Sequence, residues 1–183
     1  MKRTLFAGIL LTVLAVFTAC SDKDENENEQ PPTLVTYTDV AFSRFPGDTE
    51  YARFFSTSDG KSYKDSEVNA ANGAKIDLAF ASYLGMCYFL SPKSNEISPA
   101  IPNATVTQYV QSVPSTQFSV AQFDAMTTDE PLRALTIVDD NESFGTTGYP
   151  IIVLFQNAAG KKGAIKVKAI NSERLLVDIK VQK

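Results

Sequence analysis

Chemistry has few places to reside in this chain. There is no histidine among the 183 residues, which removes the commonest general base, the commonest metal ligand and every histidine-dependent triad. No G-x-S-x-G motif, P-loop or dinucleotide fingerprint is present. Cys87 stands between Met86 and Tyr88 in an apolar run, so it reads as a buried, unreactive thiol with a raised pKa. The run Asp139-Asp140-Asn141-Glu142-Ser143 could gather oxygen ligands around a cation. It lacks EF-hand spacing, because Phe144 holds the sixth place and Pro150 the twelfth, where glycine and glutamate belong. A solvated acidic loop is the simpler reading. Met86 and Met126 are the remaining soft donors, and both stand in apolar patterns that predict core packing. No catalytic residue, metal or cofactor is assigned, and the chain is not expected to be an enzyme.

Cys20 is the exception, because its thiol ends an export signal. Lys2 and Arg3 open the sequence, Leu5 to Phe17 form an apolar run broken by Gly8 and Thr12, and Phe17-Thr18-Ala19-Cys20 closes it. A charged start, a short apolar run and small residues at the exit describe a secretory signal over residues 1–19. The run is shorter than the roughly 20 apolar residues that span a bilayer. The closing tetrad looks like a bacterial lipobox, with Phe17 in the usual place of leucine. Such a box predicts cleavage before Cys20 and diacylglycerol on its sulfur. At about 0.8 kcal/mol per buried methylene, two or three acyl chains would hold the protein on a membrane. The alternative is an ordinary signal cut near Ala19.

Removing 19 of the 183 residues leaves 164 and, since Lys2 and Arg3 go with them, moves the net charge from −4 to −6. That length suits one domain with a real core. An acidic chain argues against nucleic acid and against an electrostatic grip on anionic lipid. With Cys20 lipidated, Cys87 has no partner, so no disulfide staples the fold. Residues 20–32 are rich in Asp, Glu and Asn and end in two prolines, which predicts a disordered, self-repelling tether. It serves either as a plain spacer or as a signal for surface display.

Residues 33–183 read as a single β-rich domain, an antiparallel sheet or sandwich with one or two short helices. Strands are expected at Leu34–Phe45, Tyr51–Thr57, Lys75–Leu84, Met86–Leu90, Thr105–Ser112 and Ala134–Val138. One or two helical turns are expected within Asp65–Gly73. Ser119 and Gln122 stand at capping-box spacing and predict a helix to Met126, which Pro131 stops from continuing. Pro150–Gln156, Ala164–Asn171 and Leu175–Gln182 form a C-terminal three-stranded meander. Its last two strands alternate apolar residues with Lys166, Lys168, Asp178 and Lys180, the pattern of one buried and one charged face. The 12 Phe and 7 Tyr read mainly as core, and the absence of Trp weakens a glycan platform.

The blocks Phe54–Lys61 (FFSTSDGK), Lys75–Phe80 (KIDLAF) and Gly160–Lys183 resemble Bacteroidetes surface lipoproteins and, more distantly, the HmuY-type haem-binding lipoproteins. The resemblance covers most of Tyr51 to Lys183. It implies a mostly antiparallel β fold that holds a ligand at the cell surface, anchored in the outer membrane, with an outer-membrane uptake complex as a partner. It also implies haem as the alternative ligand, with Met86 and Met126 as the candidate ligating residues in a chain without histidine. The expectation is therefore a non-enzymatic surface lipoprotein that binds an extracellular ligand or partner. A structural or adhesive subunit is a further alternative, using a free strand edge.

Overall fold

The computed structural model describes residues 33–183; the signal segment, Cys20 and the acidic tether lie outside the described residues. In chain order come β1 (Leu34–Ser43), β2 (Phe54–Ser56), β3 (Lys61–Tyr63), β4 (Leu78–Tyr83), β5 (Met86–Leu90), β6 (Gln108–Val110), α1 (Val120–Ala125), α2 (Glu130–Arg133), β7 (Ile151–Gln156), β8 (Lys162–Ile170) and β9 (Arg174–Gln182). Single 3-10 turns at Asp65–Glu67 and Gly73–Lys75 precede β4. The strands make two antiparallel sheets, ordered β1-β9-β8-β7-β6 and β3-β2-β4-β5. The mainly β, sandwich-like fold with short helices and a C-terminal meander is the one the sequence predicts.

The alternation along each strand sorts its side chains between layers. Phe42, Leu78, Phe80, Phe89, Tyr109, Phe155, Ile165, Val177 and Ile179 meet between the sheets. The rings of Phe42 and Phe89 pack edge-on at 5.4 Å between centroids, and those of Phe89 and Tyr109 stack at 5.9 Å. Tyr109 is fully buried, and its hydroxyl donates to the Asp77 carbonyl at 2.8 Å, so its polar end is satisfied. The outer face of the larger sheet buries Ile152, Leu154 and Ala164 against Phe118, Phe123, Met126 and Leu132. The outer face of the smaller sheet buries Phe54 and Ala79 against Ile76, Ile97 and Ile101.

The charged face of β8 and β9 is therefore covered. Lys162 Nζ donates to the carbonyls of Arg133 and Leu135 at 2.8 and 2.5 Å, and Lys180 Nζ to those of Phe123 and Met126 at 2.9 and 2.7 Å. Those carbonyls lie at and just beyond the C-terminal ends of α2 and α1, where backbone acceptors run short of donors and the helix dipole favours a cation. Lys166 and Lys180 Nζ also lie over the ring of Phe123 at 5.3 and 5.1 Å, two cation–π contacts. Burial pushes the Lys180 ammonium pKa down.

The capping box of α1 forms: Ser119 N donates to Gln122 Oε1 at 2.8 Å, and Gln122 N to Ser119 Oγ at 3.2 Å. The strand expected at Ala134–Val138 does not form. Ile137 plugs the helix-side core, and the carbonyls of Arg133 and Leu135 are taken by Lys162 rather than by a strand. β3 is a strand that the sequence pattern does not announce, because it has three residues and only Tyr63 is buried.

Two outcomes test this packing. Gly163 lies opposite Phe155, and a Cβ there would stand 2.2 Å from Phe155 Cζ. Gly163→Ala should therefore cost about 1–3 kcal/mol by overpacking, read as a lower urea midpoint at unchanged m-value. Asp129 receives Arg133 Nε and Nη2 at 2.8 and 2.7 Å and Gln182 Nε2 at 3.0 Å. The Arg133 bonds hold its carboxyl well below the usual range. A depressed folded pKa adds stability that is present above the unfolded value of about 4 and fades as pH falls toward the folded one. Asp129→Asn should lower the urea midpoint at pH 7, and the gap to the parent should narrow between pH 4 and pH 2.

Candidate functional site

Most apolar side chains in this domain are buried, which makes the tip of the β4–β5 hairpin unusual. Tyr83 pairs with Met86 and Ala81 with Tyr88, and all four lie on the outer face of the smaller sheet. The loop layer covers the inner half of that face, over Ala79 and Leu90. It stops short of the tip, leaving Tyr83 65% and Met86 45% exposed. The turn between them is Leu84-Gly85, with φ of 48° and 81°. A two-residue hairpin turn of this hand asks for Asn or Gly at its first place. Leucine carries a Cβ clash there, and its side chain is 81% exposed. Neither the backbone nor the solvent favours Leu84.

Two clefts flank this face and share Tyr88, Leu90 and Glu96. One, of about 370 Å³, is bounded by Arg44, Pro46, Arg53 and Tyr83; the other, of about 400 Å³, by Met86, Gln111, Asp139 and Glu142. Arg44 is steadied by bonds to Ser82 Oγ at 3.2 Å and to the Asn171 carbonyl at 2.8 Å. Arg53 is spent on Asp65, at 2.7 and 2.9 Å, and on the Ser98 carbonyl at 2.8 Å. The hairpin face thus has a cationic flank at Arg44 and an acidic flank at Glu96, Asp139 and Glu142. Exposed rings bordered by polar groups are the surface on which flat or partly apolar ligands settle.

The acidic loop has a structural task of its own. Asp140 Oδ2 accepts from the backbone N–H groups of Gln111 and Ser112 at 2.8 and 2.9 Å, and Asp140 N donates to the Tyr109 carbonyl at 3.1 Å. Four residues on, Phe144 and Cys87 exchange backbone bonds of 2.9 Å. Gln111 spans the gap, accepting from Phe89 N at 2.7 Å and donating to the Glu142 carbonyl at 2.9 Å. The loop closes the flank between β5 and β6. Among the described residues, no three His, Cys, Asp or Glu side chains converge as a metal-binding group.

The other singled-out residues fall apart in space. Met126 is 4% exposed in the helix-side core of the larger sheet, while Met86 opens onto the smaller sheet's cleft. The two methionines do not meet, and Met86 is not the core residue its apolar neighbours suggest. Cys87 is buried with its pKa raised by that burial, as its run predicts. Cys20 lies outside the described residues. Tyr83 and Leu84 are the site residues the sequence pattern misses. The available signal was Tyr83's place in the polar phase of β4, with Asp77, carried around a two-residue turn. Compared with protein families, with curated proteins and with solved structures, the chain gives no significant match.

If recognition rather than folding retains Leu84, replacing it should stabilise the domain. Leu84→Asn should gain about 0.5–1 kcal/mol from relief of the positive φ, read as a higher urea midpoint. An unchanged or lower midpoint would show that Leu84 supports the fold.

Proposed function

We propose that this protein is a non-enzymatic surface lipoprotein, anchored in the outer membrane through Cys20. On this reading its β domain binds an extracellular ligand or partner protein on the outer face of the β4–β5 hairpin. The observation that carries the binding site is Leu84, an exposed apolar side chain held in the left-handed region beside exposed Tyr83 and Met86. Natural folds keep such strain and exposure chiefly where they serve function. The anchor rests on the apolar run ending at Phe17-Thr18-Ala19-Cys20 and the acidic segment after it. The non-enzymatic reading rests on the lack of histidine and on the buried thiol of Cys87.

Haem is the second reading, and the exposure of Met86 favours it. A thioether opening onto a cleft across from a tyrosine presents two side chains able to ligate haem iron. Met126 is not part of that arrangement, so ligation on this reading falls to Met86 with Tyr83 or Tyr88.

Mass spectrometry of the membrane fraction should find an acylated N-terminal Cys20, and a soluble, unmodified N-terminus would overturn the anchor. Turnover of glycosides, esters or peptides by the purified protein would overturn the non-enzymatic reading. Haemin titration separates the ligands. A Soret shift that Met86→Ala removes supports haem, and a flat titration discards haem.

A further inference from the structure

The opposite end of the sandwich holds a further cleft, of about 730 Å³, independent of the two at the hairpin face. It opens between Val35 and Tyr37 of β1, the β2–β3 turn at Thr57 and Ser58, the β7–β8 turn at Asn157–Lys161, and Gln182 and Lys183. That volume lies within the range of small-molecule sites. Its chemistry is uneven. Three lysines, Lys75, Lys161 and Lys183, stand on its wall, and a single carboxylate, Asp77, lies among them.

Asp77 is 7% exposed, so it is more than nine-tenths buried. Its Oδ2 accepts from Thr57 N at 2.9 Å and from Thr57 Oγ1. Among the described residues no cation lies within ion-pair distance of Asp77, although the Asn157 side chain and the Lys161 charge stand near enough to favour its ionised form. Asn157 stands alongside, its Oδ1 occupied by Ala159 N and Lys161 N at 3.1 Å each. Lys75 pairs with Asp59 at 3.1 Å, whereas Lys161 and Lys183 make no ion pair among the described residues. Burial holds the Asp77 carboxyl above its usual pKa, and the Thr57 bonds offset only part of that cost.

A carboxylate that lines a cleft and has no ion-pair partner is completed best by a cation or a charged donor that can lose its water beside it. The two unpaired ammonium groups of the rim ask for an anion. Few small molecules offer both charges a short distance apart. We propose that this cleft binds a small zwitterion of the amino-acid or short-peptide class. Its ammonium group meets Asp77 Oδ1, and its carboxylate meets Lys161 and Lys183. The apolar wall at Val35, Tyr37 and Ala158 takes the side chain between them.

The test is calorimetric titration of the full chain at pH 7 with glycylglycine, L-alanine, ethylamine and acetate. The expected result is binding of one or both zwitterions, with ethylamine and acetate at least tenfold weaker. Asp77→Asn and Lys161→Ala should each weaken zwitterion binding tenfold or more, while Met86→Ala leaves it unchanged. Separation from the hairpin reading comes from that last variant. Amide NMR on the unmodified protein gives a readout that no variant's folding can confound: glycylglycine should shift Thr57, Ser58 and the 157–161 turn. Equal binding of ethylamine and glycylglycine would overturn the proposal. So would binding insensitive to Asp77→Asn, shifts confined to another surface, or no binding by either zwitterion.

Discussion

A sandwich of two sheets must satisfy the backbone groups along its open flanks, and here each flank is handled differently. Between β5 and β6, the segment Asp140 to Phe144 bonds to both edges, with the Gln111 side chain joining them. Unpaired edges invite other strands, so this loop does for the fold what a further strand would do. On the other flank, the register of β1 against β9 slips between Tyr37 and Val40, where Asp39 takes φ of 56°. Asp39 N donates to Asp178 Oδ1 at 2.9 Å, and Lys168 bonds to both carboxylates. A bulge carrying fixed charges is a poor template for strand addition. Strand addition is thus disfavoured at the β5–β6 flank and along β1.

The covered outer faces follow from the same economy. A small domain with no disulfide among its described residues needs every apolar face it can bury, and the larger sheet offers chiefly Ile152, Leu154 and Ala164 on its outer side, with Leu34 and Val110 beside them. The lysines beside them would oppose any purely apolar cover. By donating to carbonyls at and just beyond the C-terminal ends of α1 and α2, Lys180 and Lys162 turn that difficulty into helix C-caps. The helices are short, at six and four residues, far below the length at which a helix stands alone in water. Tertiary contacts of this kind hold them in place.

The period-two signal in β4, β8 and β9 and the apolar runs at β5 and β7 make most of the architecture legible from the residues, and the Ser119–Gln122 spacing locates α1. What alternation cannot convey is which face a neighbouring layer will cover. It identified the charged side of β8 and β9 correctly, yet the cover depends on α1 and α2, which are distant in sequence. The same blindness hid the hairpin. Met86 in an apolar run looks buried, and only the reach of the loop layer over Leu90 but not Tyr88 decides otherwise. Ala134–Val138 failed for a related reason, since a strand needs an edge to join and the edge at β6 was already taken by Asp140. Asp77 was read as the polar phase of a half-exposed strand, and its burial comes from Thr57 and Asn157, at distant positions in the sequence.

The two ends differ in how the chain reaches them. Lys183 N donates to the Thr33 carbonyl at 3.0 Å, and Val35 and Lys183 both line the Asp77 cleft. The chain therefore enters and leaves the domain at that end. β1 then runs ten residues, about 33 Å at the usual rise, before Arg44 and Pro46 join the hairpin cleft. An exposed Leu, Tyr and Met on a hairpin tip would also suit insertion into lipid, so the direction of the chain decides between the two uses. A lipid on Cys20 would connect through the thirteen residues to Pro32, at most about 45 Å of extended chain. A tether of that kind would join the domain at Thr33, at the cleft end, with the hairpin at the far one. If Cys20 is lipidated as proposed, a tip held a strand's length beyond the attachment point would be better placed to meet what arrives from outside than to grip the anchoring membrane.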